Sequence, residues 1–180
     1  MRVIAGTLKG RRLEAPAWDG LRPTSDKLRE TLFNLLAPRI GGARVFDGFA
    51  GTGAVGIEAL SRGARHVTFV EHDPRARALI AKNVAHCGIA DGYAIIGTPV
   101  LQAIETLRGN NVFDIIFLDP PYASNIHELL PTVGAIVEKG GIVILEHARR
   151  APAPAVAGSL ARTRDVTSGD SALALYACQP

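Results

Sequence analysis

The chain of 180 residues has only two cysteines, Cys87 and Cys178, and no apolar run as long as a membrane span. Two isolated cysteines exclude a disulfide framework and a cysteine-rich metal site. A transmembrane helix needs about 20 consecutive apolar residues, so we expect none and no membrane partner. Glycine and lysine interrupt the apolar residues soon after Arg2, at Gly6 and Lys9, so we expect no signal peptide. The five histidines lack metal-ligand spacing, and we expect no metal site.

What remains is the composition of a globular protein. Hydrophobic residues make up 47% of the chain, which is enough for one substantial core at this length. In the absence of a targeting segment we expect a cytoplasmic protein, and we expect it to be a monomer.

Basic charge is concentrated at the start of the chain. The net charge is only +3, but the first dozen residues carry +4 with no acid, and the remaining 16 basic and 17 acidic residues nearly cancel. The basic residues concerned are Arg2, Lys9, Arg11 and Arg12. Apolar residues flank Gly6 and Gly10, which predicts a short β-hairpin that displays these charges. A solvated tail is the alternative, but an ordered basic hairpin is typical of a phosphate-binding arm.

Strands and helices alternate through the middle of the chain. A helix is predicted over residues 25–36, with Thr24 as its N-cap and Asp26 in its first turn. Strands are then predicted at 44–47, 66–70, 93–96, 112–118 and 141–146, and helices at 54–62, 74–86, 99–107 and 125–137. This alternation predicts an α/β fold with a parallel sheet covered by helices on both faces. Residues 162–168 and 171–178 predict a closing antiparallel hairpin.

A glycine-rich turn follows the first strand of this pattern. Gly51, Gly53 and Gly56 fit the spacing G-x-G-x-x-G between a strand and a helix. Twenty residues after Gly51 the next strand ends in Glu71, where a carboxylate can accept hydrogen bonds from two ribose hydroxyls. The motif alone is equally compatible with NAD.

Asp47 favours S-adenosylmethionine over NAD as the cofactor. A carboxylate at the strand end would repel a pyrophosphate, which the bare helix N-terminus otherwise attracts. S-adenosylmethionine has no phosphate and carries an ammonium and a sulfonium, so the same carboxylate becomes favourable. A simple helix cap is the alternative role for Asp47. The candidate cofactor residues are Asp47, Phe49, Ala50, Gly51, Thr52, Gly53 and Glu71.

The apolar run 115–118 ends in Asp119, Pro120, Pro121 and Tyr122, which together predict a receptor for an exocyclic amine. Asp119 can accept hydrogen bonds from an NH2 group. Both prolines lack an N–H and have a fixed φ, so the carbonyl between them can point into a pocket. Tyr122 offers a flat face for stacking a base. The alternative is a proline-rich turn, with Asp119 as a cap and Tyr122 as a packing residue.

These motifs resemble those of the bacterial 16S rRNA guanine-N2 methyltransferases of the RsmD type. The resemblance covers the whole chain and rests on residues 2–13, 21–34, 47–60 and 119–122. The Asp-Pro-Pro-aromatic element is shared by many amino-group methyltransferases. The Leu-Arg-Pro-Thr element and the following Arg-Glu-Thr-Leu-Phe-Asn are far more specific to this family.

The resemblance implies a Rossmann-like class I S-adenosylmethionine-dependent methyltransferase with a seven-stranded, mostly parallel sheet. Residues 1–40 would form an RNA-binding extension of hairpin and helix, and residues 41–180 the catalytic domain. The substrate would be the N2 of a guanine in 16S rRNA, of the guanine-966 type, in free rRNA or an assembling small subunit. Arg22 is a further candidate for RNA contact, with a structural ion pair as the alternative.

Residues after the third strand depart from the family pattern. Pro99 cannot donate a backbone hydrogen bond there, so adenine recognition falls to Thr98, the Val100 N–H or apolar packing. Two other functions stay open: an adenine-N6 methyltransferase on DNA or RNA, and a non-catalytic RNA-binding factor for ribosome assembly. The intact amine receptor disfavours the non-catalytic factor.

Overall fold

Five helices and eight strands occur in the residues that the computed structural model describes, 1–19, 24–109, 113–121 and 124–179. The helices are α1 (Asp26–Leu36), α2 (Ala54–Ser61), α3 (Pro74–His86), α4 (Val100–Leu107) and α5 (Ile126–Val133). The strands are β1 (Arg44–Gly48), β2 (His66–Val70), β3 (Tyr93–Ile96), β4 (Phe113–Leu118), β5 (Val137–Ala148), β6 (Val156–Ala157), β7 (Leu160–Ser168) and β8 (Ser171–Cys178).

All eight strands belong to one sheet in the order β3-β2-β1-β4-β5-β8-β7-β6. The first five in this order are parallel, and β8, β7 and β6 continue the sheet in antiparallel pairing. The predicted Rossmann-like α/β fold is confirmed. The predicted count of seven strands is wrong for the described residues, because Val156–Ala157 adds a two-residue edge strand beside β7.

Both faces of the parallel sheet are covered, as the continuous apolar runs of its strands require. On β1, Val45 packs with Ile115 in the core cluster on the side of α1, α2 and α3. Phe46 points the opposite way and packs with Ile116 in the cluster on the side of α4 and α5. Residues of each central strand therefore alternate between two cores.

Helix α1 begins one residue later than predicted. Its N-cap is Ser25, whose hydroxyl accepts a hydrogen bond from the Leu28 N–H at 3.2 Å. The prediction of Thr24 as the cap was wrong, because only Ser25 places its oxygen over the free N–H groups of the first turn. Asp26 does lie in that turn.

Helix α5 and strand β5 divide the chain differently from the prediction. The helix ends at Val133, four residues early, with Pro131 inside it and Gly134 as its C-cap. Strand β5 starts at Val137 because its first residue pairs with Phe113 of β4. Pro131 removes a helical hydrogen bond near the end of α5, so the helix stops soon after it. The residues from Val137 onward then form a strand because they pair with β4.

The first 14 residues form a small hairpin that lies along α2. One antiparallel bridge joins Arg2 to Arg12. The amides of Ile4 and Ala5 donate to the buried Glu58 carboxylate of α2 at 2.7 and 2.9 Å. Backbone groups in the hairpin are therefore paired with a side chain of the core, which holds it in place. The predicted division of the chain at residue 40 stays a prediction.

Two properties of the described residues bear on function classes. None of the helices is both long and apolar enough to cross a membrane. Within the same residues, no group of three His, Cys, Asp or Glu side chains is arranged to hold a metal ion.

Replacement of Gly56 by Ala is expected to destabilise the fold. A Cβ at Gly56 would lie 2.2 Å from Phe69 Cε1 and 2.7 Å from Val67 Cγ1, so α2 would have to move away from β2. Overpacking of this kind costs about 1–3 kcal/mol. Thermal unfolding should show a melting temperature lower by about 2–4 °C for each kcal/mol.

Gly41→Ala is the matched control, because a Cβ at Gly41 meets nothing within 4 Å. Equal melting temperatures for Gly41→Ala and Gly56→Ala would show that α2 does not depend on this contact.

Candidate active site

Four acidic side chains lie at the carboxyl ends of neighbouring strands, on one face of the sheet. They are Asp47, Glu71, Asp119 and Glu146. Asp47 is in register with Phe69 of β2 and Phe117 of β4, and Phe117 is in register with Ile144 of β5. The other three acids follow these residues by two positions, and positions two apart share a face. This edge is where α/β sheets bind their ligands.

Sequence reasoning placed three of these acids at the site and missed Glu146. The signal was present, because the apolar run 142–145 ends in Glu146 in the same way that 115–118 ends in Asp119. A single acid after a strand has too many other uses to be assigned without the strand order.

The glycine loop after β1 has a strained and compact backbone. Phe49 has φ +66°, and it is the one non-glycine residue with a positive φ in the described part of the chain. Gly51 and Gly53 also have positive φ, +56° and +77°. A bulky residue in this region costs free energy and often marks a functional loop. Glycine at positions 51 and 53 allows this tight turn, and at Gly53 the missing Cβ leaves room for Ile80 of the core.

Four amides of this loop and of the first turn of α2 are already paired within the protein. Ala50 N donates to Val70 O, Gly51 N to Glu71 Oε2, Gly53 N to Ala50 O, and Gly56 N to Asp47 Oδ2, at 2.8–3.0 Å. A pyrophosphate needs free N–H groups at this position. Here two of the four amides donate to carboxylates and two to backbone carbonyls. The negative charge of the carboxylates also opposes a phosphate, so the loop is unsuited to a dinucleotide and fits a ligand without phosphates.

Asp47 is buried, with only 1% of its surface exposed. Burial raises the pKa of Asp47 to about 7; the hydrogen bond from the Gly56 N–H opposes this rise, and the charge of Glu71 adds to it. The bond to Gly56 is the helix-capping role that sequence reasoning held open. A cationic group nearby would favour the ionised form of this carboxyl.

Glu71 is held firmly at the end of β2. Its Oε2 accepts from the Gly51 N–H at 3.0 Å, and its Oε1 accepts from the Asp73 N–H at 2.9 Å. Each carboxylate oxygen has a second lone pair. The side chain is therefore both fixed in position and able to accept from two further donors, such as ribose hydroxyls.

Thr98 follows β3, beside the strand that ends in Glu71. Its hydroxyl oxygen is buried and has no hydrogen-bond partner among the described residues. Pro99 is the N-cap residue of α4, and Val100 is its first residue. An unpaired buried hydroxyl is costly, so a ligand that bonds to Thr98 would relieve a real penalty.

Asp119 comes directly after β4, and its N–H points to Gly48 O at 3.4 Å. Burial raises the pKa of Asp119 to about 8, and the charges of Glu146 and then Asp47 add to the rise. Two residues further on, the Pro121 carbonyl accepts from the Ser124 N–H at 2.8 Å.

Two predicted site residues, Tyr122 and Arg22, lie outside the described residues. Their roles stay predictions.

The basic side chains of the hairpin are exposed on its surface. They are Arg2, Lys9, Arg11 and Arg12. Met1 Sδ lies 4.0 Å from Thr52 Oγ1 in the glycine loop, whereas the Thr7 N–H donates to Ser61 O at the far end of α2. The hairpin therefore runs along α2, with Arg2 and Arg12 at the end nearest the glycine loop.

Comparison with known proteins gives one consistent result. The family model described as Conserved hypothetical protein 95 matches residues 1–177. Ribosomal RNA small subunit methyltransferase D of Escherichia coli (strain K12) is 34% identical over 181 residues, which are 98% of this chain and 89% of that protein. The protein of the same name from Haemophilus influenzae is 41% identical over 129 residues, 71% of this chain and 67% of that protein.

A solved structure of Escherichia coli yhhF has the same fold. Its TM-score is 0.85 at 28% identity, with 100% of this chain and 98% of that chain covered. The fold is the class I S-adenosylmethionine-dependent methyltransferase fold. Because the family model matches nearly the whole of this chain, the chain belongs to the Conserved hypothetical protein 95 family, the RsmD type of methyltransferase.

Proposed function

We propose that this protein transfers a methyl group from S-adenosylmethionine to the exocyclic N2 of a guanine in small-subunit rRNA, of the guanine-966 type. The observation that carries the proposal is Asp119, partly buried and followed by two prolines, beside a glycine loop unsuited to phosphates. The names of the Escherichia coli and Haemophilus influenzae relatives support an rRNA substrate. An rRNA substrate in turn implies a cytoplasmic location.

The residues of the site fit S-adenosylmethionine, which supplies an electrophilic methyl group on a sulfonium. Glu71 would accept hydrogen bonds from the two ribose hydroxyls. The unpaired Thr98 hydroxyl would pair with the adenine. Asp47 would lie near the two cationic groups of the ligand, and their charge would favour its ionised form.

Asp119 and the Pro120 carbonyl would act on the acceptor amine. The lone pair of the guanine 2-amino group is delocalised into the ring, which makes the nitrogen a poor nucleophile. Hydrogen bonds from both amine hydrogens to these two acceptors would favour a pyramidal nitrogen and aim its lone pair. Fixing two reactants in line contributes about 7–11 kcal/mol. A strong base is not required, because the nitrogen becomes acidic once methylated.

The target base would have to leave its stack to reach this pocket. Bases in single-stranded RNA loops do so at modest cost, and an aromatic ring such as Tyr122 can hold them by stacking. The exposed basic side chains of the hairpin would bind the phosphates on either side. Arg2 and Arg12 are the best placed, because they lie at the end of the hairpin nearest the glycine loop.

Asp47→Asn is expected to stabilise the cofactor-free protein while weakening cofactor binding. The pKa of Asp47 is raised in the fold from 3.8 to about 7, so its ionisation removes stability as the pH rises through that window. Asn keeps an acceptor for the Gly56 N–H without the charge. Thermal unfolding at neutral pH should show a gain of several degrees, at about 2–4 °C per kcal/mol.

Calorimetric titration should show a loss of S-adenosylmethionine affinity on the order of tenfold or more in Asp47→Asn, as for a lost hydrogen bond or contact to a charged group. Asp91→Asn, in an exposed turn, is the control and should change neither quantity. Cofactor affinity equal to that of wild type in Asp47→Asn would remove Asp47 from the cofactor site.

Asp119→Ala should reduce the methyl-transfer rate about 10²–10³-fold, by analogy with loss of one preorganised group at a reacting centre. S-adenosylmethionine affinity should stay near that of wild type. The wild-type rate should also rise with pH, because the ionised form of Asp119 is the stronger acceptor for the amine hydrogen, and the pKa of Asp119 is raised to about 8. A bound cation lowers this pKa, so the inflection should lie at or below 8.

Single-turnover rates on small-subunit rRNA measure this effect. Asp114→Asn, at the other end of β4, is the control, because Asn keeps the acceptor that Asp114 offers to the Arg44 N–H. A wild-type rate in Asp119→Ala would refute the role of Asp119 as the amine receptor.

Joint replacement of Arg2 and Arg12 by Gln should weaken RNA binding and flatten its salt dependence. Each lost phosphate contact lowers the slope of log affinity against log salt by about 0.7–0.9. The control is the double variant Arg65→Gln with Lys139→Gln, which removes the same charge near the amino ends of β2 and β5. It should keep the wild-type slope. Identical slopes for the two double variants would show that the hairpin does not bind phosphates.

A further inference from the structure

Glu146 lies beside Asp119 although the two are far apart in the chain. Leu118 of β4 is in register with Leu145 of β5, so the residues that follow are neighbours at the ends of adjacent parallel strands. Both follow the register pair Phe117 and Ile144 by two positions, which puts their side chains on one face. Adjacent strands are separated by about 4.8 Å. Two carboxyl groups thus share the space into which the amine receptor opens.

The Glu146 carboxyl is incompletely paired. Its Oε2 is buried and has no hydrogen-bond partner among the described residues. Burial raises the pKa of Glu146, and the nearby Ser171 side chain opposes part of that rise. Buried acids elsewhere in the described chain accept from named donors: Asp47 from Gly56, Glu71 from Gly51 and Asp73, and Glu58 from Ile4, Ala5 and Arg62. An acceptor left free at this place is positioned for a donor on a ligand.

We propose that Glu146 accepts a hydrogen bond from the N1–H of the target guanine while Asp119 accepts from its 2-amino group. The inference rests on the proposed function and names the group that selects the base. In guanine the N1–H and the 2-amino group are adjacent donors on one edge, which suits two adjacent acceptors. Adenine presents an N1 lone pair instead, and a carboxylate facing it would be repelled. The two donors of guanine also stabilise the ionised forms of the two carboxyl groups.

A substrate analogue separates the N1–H from the reacting amine. 2-Aminopurine keeps the 2-amino group but lacks both the N1–H and the 6-oxo group, so the comparison with a Glu146 variant is what isolates the N1–H contact. We would place guanine or 2-aminopurine at the target position of the rRNA fragment that the wild-type enzyme methylates. Single-turnover rates would be measured for wild type and for Glu146→Gln with saturating S-adenosylmethionine.

Wild type should lose about 10–100-fold in rate on the 2-aminopurine substrate, as expected for one hydrogen bond to a charged group. Glu146→Gln should lose part of this factor on guanine, because the amide oxygen still accepts but lacks the charge that strengthens the hydrogen bond. It should lose little more on 2-aminopurine, because the Gln amide can donate to the N1 lone pair that a carboxylate would repel. Calorimetry should give wild-type affinity for S-adenosylmethionine in this variant.

Glu138→Gln is the matched control. Glu138 lies on the same strand at its other end, where it pairs with Arg44 at 3.4 Å. Its replacement should change neither rate.

The outcomes that overturn the inference are distinct from those that overturn the function. Equal wild-type rates on guanine and 2-aminopurine, or losses that simply multiply in Glu146→Gln, would show that Glu146 does not contact N1–H while N2 methylation stands. Methylation of adenine in place of guanine, or of neither base, would refute the proposed function and this inference with it.

Discussion

The close contact between α2 and β2 at Gly56 is the constraint on which the rest of the structure depends. Without a Cβ, the helix lies directly against the rings and methyl groups of Phe69 and Val67. Asp47 accepts the Gly56 N–H and ties the same turn to β1. This position of α2 fixes the glycine loop that precedes the helix. It also places Glu58, which holds the N-terminal hairpin by two backbone amides. The lack of a side chain at Gly56 thus determines how the sheet, the glycine loop and the N-terminal hairpin are positioned relative to one another.

The acidic side chains at the carboxyl ends of the strands destabilise the ligand-free protein. A bound ligand with complementary groups would recover that stability. Burial raises the pKa of Asp47 to about 7 and that of Asp119 to about 8. The charge of Glu71 adds to the rise at Asp47, and the charges of Glu146 and Asp47 add to it at Asp119. Thr98 and Glu146 each have a buried oxygen with no hydrogen-bond partner in the part of the chain that the structure describes. Each of these costs is relieved by a cation or by a hydrogen-bond donor. These features suit the positively charged cofactor, and they are what the proposed methylation of an amine would use.

Much of the fold followed from local patterns. The bounds of α3 and β8 were predicted correctly, because a proline after the Asp73 cap and a continuous apolar run after Gly169 and Asp170 are signals within a few residues. The end of α5 and the start of β5 were wrong, since they depend on the pairing of β5 with Phe113. The N-cap of α1 was one residue off because adjacent Thr and Ser offer the same chemistry.

The sequence by itself determined the chemistry that sits on single segments. Gly51, Gly53 and Asp119 with its two prolines could be assigned because turn geometry and hydrogen-bonding capacity are properties of the residues themselves. Only the tertiary structure decided which segments meet. Glu146 joins Asp119 because β4 and β5 are neighbours in one register, and Glu58 meets the hairpin across 54 residues. Such contacts arise from strand order and helix packing, which no local pattern encodes.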